Sequence, residues 1–275
     1  MKFGAHVSIA GGINKAPMRA HEFGCECFQI FTRSPRGGNP PALNNDLVDS
    51  FFQSCEDYGF RDYYVHTPYY INFASENNEI RKSSIRIVIE ELKRSDILNV
   101  KYVMTHLGSS KGMERAVSVK RVAEAVSEII DSCNIKTELL LENSAGQGNT
   151  IGEKFEELAD IIVKINHDSL GICLDTAHTF AAGYDIRDHK SLGNTLEEFN
   201  STIGIDRLKL IHGNDSKAGL GDKKDRHEHI GKGKIGISGF ESVIKDTNLN
   251  KLDMVIETPP EGIKNDLRIL KTIRS

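Results

Sequence analysis

The sequence predicts one (β/α)8 TIM barrel, an α/β fold spanning residues 1–275 as a single domain, and three observations predict it. Short apolar runs alternate with amphipathic helical stretches along the whole chain, with no linker, low-complexity tract or shift in composition. Six residues of metal-ligand chemistry, His66, His106, Glu142, Asp175, His212 and Glu257, stand at or just past the ends of successive apolar runs, 33 to 45 residues apart. A βα unit in a barrel of about 250 residues takes roughly 31, so the spacing reads as one donor per strand, converging on one rim. An open doubly wound sheet, the main competitor, would gather such residues near a single switch point instead of on six strands in succession.

Taken in order, strands are expected at residues 3–7, 27–31, 63–66, 102–106, 138–142, 170–174, 207–212 and 253–257. Between them the apolar period lengthens to that of a helix, as in Ile85, Val88, Ile89 and Leu92, or Val119, Val122, Ala123, Val126, Ile129 and Ile130. Thr150 and Glu153 have the spacing of a capping box opening the helix that carries Phe155, Leu158, Ile161 and Ile162. Leu267, Ile269, Leu270 and Ile273 suggest a closing helix. Two connections are too long to be bare turns: residues 32–42, with Pro35, Gly37, Gly38, Pro40 and Pro41, and residues 214–236. Both follow strands, so both are expected to project from the C-terminal rim, where barrel active sites are built.

Composition adds bounds. At 275 residues and 39% hydrophobic, the chain can bury a sizeable core. Its five cysteines, odd in number and mostly in apolar segments, argue against a disulfide framework and for ordinary thiols in a reducing compartment. The start has no apolar leader segment, and no stretch approaches the ~18 apolar residues of a membrane span; a soluble, cytoplasmic protein that does not engage membranes is expected. A net charge of −4 argues against a surface coated with phosphate-binding groups. Residues 217–234 nevertheless hold six basic side chains against three acidic ones, a locally cationic loop if Asp225 faces a metal.

A lone histidine at a strand end is usually structural; convergence changes that. His66, His106, His178, His212 and His227 are borderline ligands suited to zinc, while Glu142, Asp175, Asp225 and Glu257 supply oxygens that can bridge two ions. Nine such donors suit two or three zinc or manganese ions better than one structural zinc. A polar rim without metal would bury several carboxylates at unpaired cost. The pair Asp175 and His178 opens a turn after a strand and can reach two neighbouring ions, whereas Asp225 and His227, two apart in extended chain, point to one side. His6 is expected to support the site or the fold, His229 to face solvent or phosphate, and His21, His167 and His189 to lie on the surface. Ions about 3.5–4 Å apart can hold a hydroxide nucleophile and stabilise the leaving oxygen of an in-line displacement at phosphorus. Phosphoester hydrolysis is the leading reading, with a metal-dependent sugar isomerase or epimerase as the alternative. A lysine base in a rim strand would favour the alternative, and no convincing one is found.

Five stretches carry a resemblance: residues 4–12 (GAHVSIAGG), 142–148 (ENSAGQG), 173–185 (CLDTAHTFAAGYD), 212–217 (HGNDSK) and 225–231 (DRHEHIG). In this order they resemble endonuclease IV, the family of three-zinc (β/α)8 apurinic/apyrimidinic endonucleases, over nearly the whole chain. The resemblance implies three Zn2+ per chain, with Mn2+ an option in some sites. His66, His106 and Glu142 would hold the first ion; Glu142, Asp175, His212 and Glu257 the second; His178, Asp225 and His227 the third. It also implies a monomeric DNA-repair enzyme acting on double-stranded DNA with abasic sites or 3′-blocking lesions. Cleavage on the 5′ side of the abasic site would leave a 3′-hydroxyl and a 5′-deoxyribose phosphate, with Glu142 orienting or deprotonating the nucleophile. The DNA-facing loops depart from the family pattern, for the segment after the second strand is short and the chain has no tryptophan. Arg36 on that segment, with Tyr69 and Tyr70 after the third strand, are the expected DNA contacts.

Overall fold

The computed structural model describes residues 1–167 and 169–275. Among these, ten strands alternate with helices: β1 (Phe3–His6), α1 (Ala16–Phe23), β2 (Cys27–Ile30), α2 (Asn45–Asp57), β3 (Tyr63–His66), α3 (Asn78–Ile97), β4 (Tyr102–Thr105), α4 (Arg115–Asp131), β5 (Glu138–Glu142), α5 (Phe155–Ile165), β6 (Leu170–Asp175), α6 (Thr176–Ala182), α7 (His189–Thr202), β7 (Leu208–His212), β8 (Asp215–Ser216), β9 (His227–Glu228), α8 (Gly236–Lys245), β10 (Asp253–Ile256) and α9 (Ile263–Arg274). Eight of the strands close a parallel barrel in the order β1, β2, β3, β4, β5, β6, β7, β10, with β10 returning to β1. The expected strands lie where the apolar runs placed them, with ends differing by a residue. The remaining two, β8 and β9, pair antiparallel as a hairpin within the long connection after β7.

Side chains alternate across each strand, which separates two cores. Outward residues such as Phe3, Phe28, Val65, Val103, Leu139, Ile172, Ile211 and Ile256 pack under the helices. Among the helical residues marked by period, Val88, Leu92, Val122, Val126 and Ile129 are buried there; each contributes about 1.5–3 kcal/mol relative to exposure. Inward residues Cys27, Tyr64, Tyr102, Met104, Leu140, Cys173, Leu210 and Val255 form a separate plug that fills the barrel. Gly4 completes this layer on β1, where a Cβ would fall 2.0 Å from the carbonyl oxygen of Cys27. All five cysteines are free thiols, and burial raises Cys55 and Cys173 to about 12. Among the described residues, no helix is long and apolar enough to cross a membrane.

The capping-box expectation at Thr150 is corrected. That segment serves the neighbouring connection: Ile151 donates to the carbonyl of Gly108, and the Thr150 carbonyl accepts from Arg115. The helix opens later, after Lys154, without a side-chain cap.

The connection from β2 to α2 is pinned from below by a buried charged cluster. Glu91, on α3, accepts from Thr32 Oγ1 at 2.7 Å and from Arg33 Nε at 2.5 Å, and Arg94 donates to the Thr32 and Pro41 carbonyls. Glu91 is 0% and Arg33 3% exposed. Glu91→Ala would leave Thr32 and the Arg33 Nε without their buried acceptor, with the part-exposed Glu90 at 2.7 Å still pairing the guanidinium, and urea unfolding should register a loss of about 1–3 kcal/mol; a change under about 1 kcal/mol, the range of a surface pair, would show the cluster to be solvated.

Candidate metal centre

Each barrel strand continues its inward series by one step beyond the plug. Two residues past Gly4, Cys27, Tyr64, Met104, Leu140, Cys173, Leu210 and Val255 stand His6, Gln29, His66, His106, Glu142, Asp175, His212 and Glu257, one polar side chain per strand at the C-terminal rim. The period of two that builds the plug therefore also builds the ring above it.

The donors gather in three groups whose ligand atoms lie within 4.8 Å of one another: His66, His106 and Glu142; Glu142, Asp175, His212 and Glu257; and Asp175, His178 and His227. Glu142 and Asp175 each belong to two groups. Asp175 ends β6 and caps α6, its Oδ1 accepting the His178 amide at 2.7 Å, which turns the His178 ring back toward the barrel axis. His227 reaches the rim because the β8–β9 hairpin pairs it with Ser216 and folds the long connection over the barrel mouth. Asp225 stands at the open edge, 49% exposed, with Oδ1 3.3 Å from His178 Nε2 and 3.4 Å from His227 Nε2. All nine expected donors thus face one centre, but Asp175, placed by sequence with one ion, also faces His227 at 3.7 Å.

The carboxylate of Glu142 lies at the middle. Its Oε2 is 2.9 Å from His66 Nε2 and 3.5 Å from His106 Nδ1, and its Oε1 is 3.0 Å from His212 Nδ1 and 3.5 Å from His178 Nδ1. Burial would raise its pKa, yet His106, His212 and His66 hold it well below the usual carboxylate range. Glu257 is likewise held at about 2, its burial outweighed chiefly by His212. On the other side, His178 is pushed up to about 10 against its burial by Asp175, Asp225 and Glu142. Burial, opposed by Glu257, lowers His6 to about 4 and keeps it neutral.

The ring nitrogens divide into held and free ones. His66 Nδ1 donates to the Thr67 carbonyl at 2.6 Å and His178 Nδ1 to that of Asn143 at 3.0 Å, so their Nε2 atoms are the ones turned to the carboxylates, His66 Nε2 lying 2.9 Å from Glu142 Oε2 and His178 Nε2 3.3 Å from Asp225 Oδ1. Nε2 of His178 and of His227 are buried with no hydrogen-bond partner among the described residues. An unpaired buried polar atom costs about 1–3 kcal/mol, and both atoms face carboxylates. Mixed imidazole and carboxylate donors with such free nitrogens fit zinc-class ions.

The centre is closed below and open above. His66, Glu142, Asp175, His178 and His212 are buried, while His106, His227 and Glu257 are partly exposed. A cavity of about 540 Å3 opens beside them, touched by His106, His178, Asp225, Tyr69, Tyr70 and Arg226. Tyr69 is 62% exposed and meets Phe31 edge-on with ring centroids 5.2 Å apart. Arg36 is exposed on the connection after β2. Of the basic side chains in the long connection, Lys223 pairs with Glu153 at 2.6 Å.

His229 corrects one expectation. It does not face solvent freely, because Asp266 on α9 accepts from its Nδ1 at 2.8 Å while also taking the Thr258 hydroxyl and the Ile230 amide. His21, His167 and His189 are exposed as expected. Three supporting residues went unseen in the sequence. Asn143 Oδ1 accepts the Asp175 amide at 2.7 Å; Asn214 Nδ2 donates to Asp175 Oδ2 at 2.6 Å while its Oδ1 accepts the Glu257 amide at 2.7 Å. Gln29 bridges His6, His212 and Glu257.

Residues 18–273 match the family described as xylose isomerase-like TIM barrel. The protein named "Probable endonuclease 4" from Aquifex aeolicus is 40% identical over 261 residues, 94% of this chain and 92% of its own length. The crystal structure of endonuclease IV from Thermus thermophilus superposes with a TM-score of 0.89 at 33% identity, over 99% of this chain and 98% of that one. A D-tagatose 3-epimerase-like protein superposes with a TM-score of 0.79 over 99% of this chain and 97% of its own, at 21% identity, a likeness of fold alone.

Proposed function

The chain belongs to the endonuclease IV family of xylose isomerase-like TIM barrels, and from that premise we propose that it is a zinc-dependent apurinic/apyrimidinic endonuclease. It hydrolyses the DNA backbone 5′ to an abasic site, leaving a 3′-hydroxyl and a 5′-deoxyribose phosphate, and removes 3′-blocking fragments by the same chemistry. The observation that carries this reading is the chain of three donor groups linked through Glu142 and Asp175, a number and linkage suited to phosphoryl displacement and in excess of what one or two sugar-binding ions require.

Three zinc ions held there would supply Lewis acidity at the scissile phosphate and a nucleophile for in-line displacement at neutral pH. His66, His106 and Glu142 are assigned to the first ion; Glu142, Asp175, His212 and Glu257 to the second; His178, His227 and Asp225 to the third, with Asp175 near enough to be shared. The carbonyls of Thr67 and Asn143 hold the rings of His66 and His178 in one tautomer and orientation. Glu142, kept ionised by its imidazole neighbours, orients or deprotonates the nucleophile. The apolar plug closes the floor, so substrate enters from the rim past His106, His227 and Asp225.

An abasic nucleotide must leave the duplex to reach this floor, and extrusion costs least where the base is already missing. Arg36, Tyr69 and Tyr70 are the residues proposed to support the opened helix, Tyr69 by stacking, worth about 1–3 kcal/mol per base. Arg36→Ala and Tyr69→Ala should each weaken binding to abasic duplex by roughly tenfold, or about 1.4 kcal/mol, at unchanged zinc content. Unaltered affinity in both would assign the contact to other residues.

The reading is tested with end-labelled duplexes, one carrying a single abasic site and one undamaged. The protein should nick only the first, immediately 5′ to the lesion. Intact abasic duplex together with interconversion of a ketose and its epimer would transfer the chain to the sugar-epimerase reading.

A further inference from the structure

We propose that Gln29 is a positioning residue for metal binding, selecting which nitrogen of His212 and which oxygen of Glu257 are presented to the rim centre. The inference rests on the reading that this centre holds zinc.

Gln29 is the polar residue of the apolar strand β2 and is fully buried. Its amide makes three hydrogen bonds whose donors and acceptors determine one another. A carboxylate only accepts, so the group 2.8 Å from Glu257 Oε1 is the amide nitrogen. The amide oxygen therefore faces His212 Nε2, also at 2.8 Å, and a ring nitrogen facing an amide oxygen must carry the proton. With Nε2 engaged by Gln29, Nδ1 is the nitrogen left to face the centre, 3.0 Å from Glu142 Oε1 and 3.6 Å from Glu257 Oε2. With Oε1 of Glu257 occupied by Gln29, Oε2 is the oxygen left for the centre. The second amide hydrogen goes to His6 Nδ1 at 2.9 Å. A flipped amide would set oxygen against Glu257, so the orientation is locked. Histidine ligands are commonly fixed through their second nitrogen; His66 and His178 use backbone carbonyls, whereas His212 uses a side chain that also aligns a second donor. His6, which tilts onto Phe31 with ring centroids 4.2 Å apart, steadies the far end of the amide.

Two measurements on the full chain test this. In isotope-labelled protein loaded with cadmium, scalar coupling between metal and His212 should appear at Nδ1. Coupling at Nε2 would overturn the proposal whether or not any variant folds. In competition with a chromophoric chelator, Gln29→Met, which keeps length and loses the hydrogen bonds, should bind one of its zinc ions about 10–100-fold more weakly than wild type, with the others titrating as before. Three unchanged affinities would overturn the positioning role alone. Equal weakening of every ion with a lowered Tm would also overturn it, marking Gln29 as structural. A wild-type chain that takes up neither zinc nor cadmium would overturn the metal reading together with this inference.

Discussion

Glu142→Gln should leave the barrel folded and reduce cleavage of an abasic duplex by about 10²–10⁴-fold, the range for losing a positioned acid or base, with loss of a bridging charge adding to it. Both oxygens of Glu142 are in use, one toward His66 and one toward His212. A glutamine offers a single acceptor and turns its amide hydrogens toward one of those rings, so the same shape carries neither the charge nor the second acceptor. The comparison is single-turnover rate against circular dichroism of the same preparation. Near-normal turnover in a well-folded mutant would remove Glu142 from its assigned role.

Asp175→Asn is expected to act on metal content as well as rate. Asp175 belongs to two donor groups, its Oδ1 holds the His178 amide, and its Oδ2 accepts from Asn214. If the new side chain keeps its oxygen on the His178 amide, its own NH2 meets the NH2 of Asn214, two donors without an acceptor, at a cost of about 1–3 kcal/mol. The mutant should retain fewer zinc ions than wild type after gel filtration, cleave at least tenfold more slowly, and melt at a lower temperature. Full zinc content with wild-type kinetics would show that Asp175 is a helix cap and nothing more.

The barrel and its donors were legible for one physical reason. A strand with an apolar interior at alternate positions places its last inward residue on the rim, and a histidine or carboxylate there stands out against Leu139–Leu141 or Ile172–Leu174. Gln29 obeys the same period, two residues past Cys27, but an amide is not a metal ligand by type and so did not register. Asn143 and Asn214 were quoted within motifs yet carry no charge to mark their roles. His229 misled because its partner Asp266 lies 37 residues downstream on α9, a contact set by packing between that helix and the long connection. The Thr150 capping signal failed because the segment's backbone was already committed to Gly108 and Arg115. Local spacing could not anticipate that competition.

The proposed three-ion centre of nine converging donors is tested by elemental analysis of protein purified without chelator, which should return three zinc-class ions per chain, with abasic-site cleavage lost as a chelator withdraws them. One ion or none per chain, with cleavage intact, would contradict it.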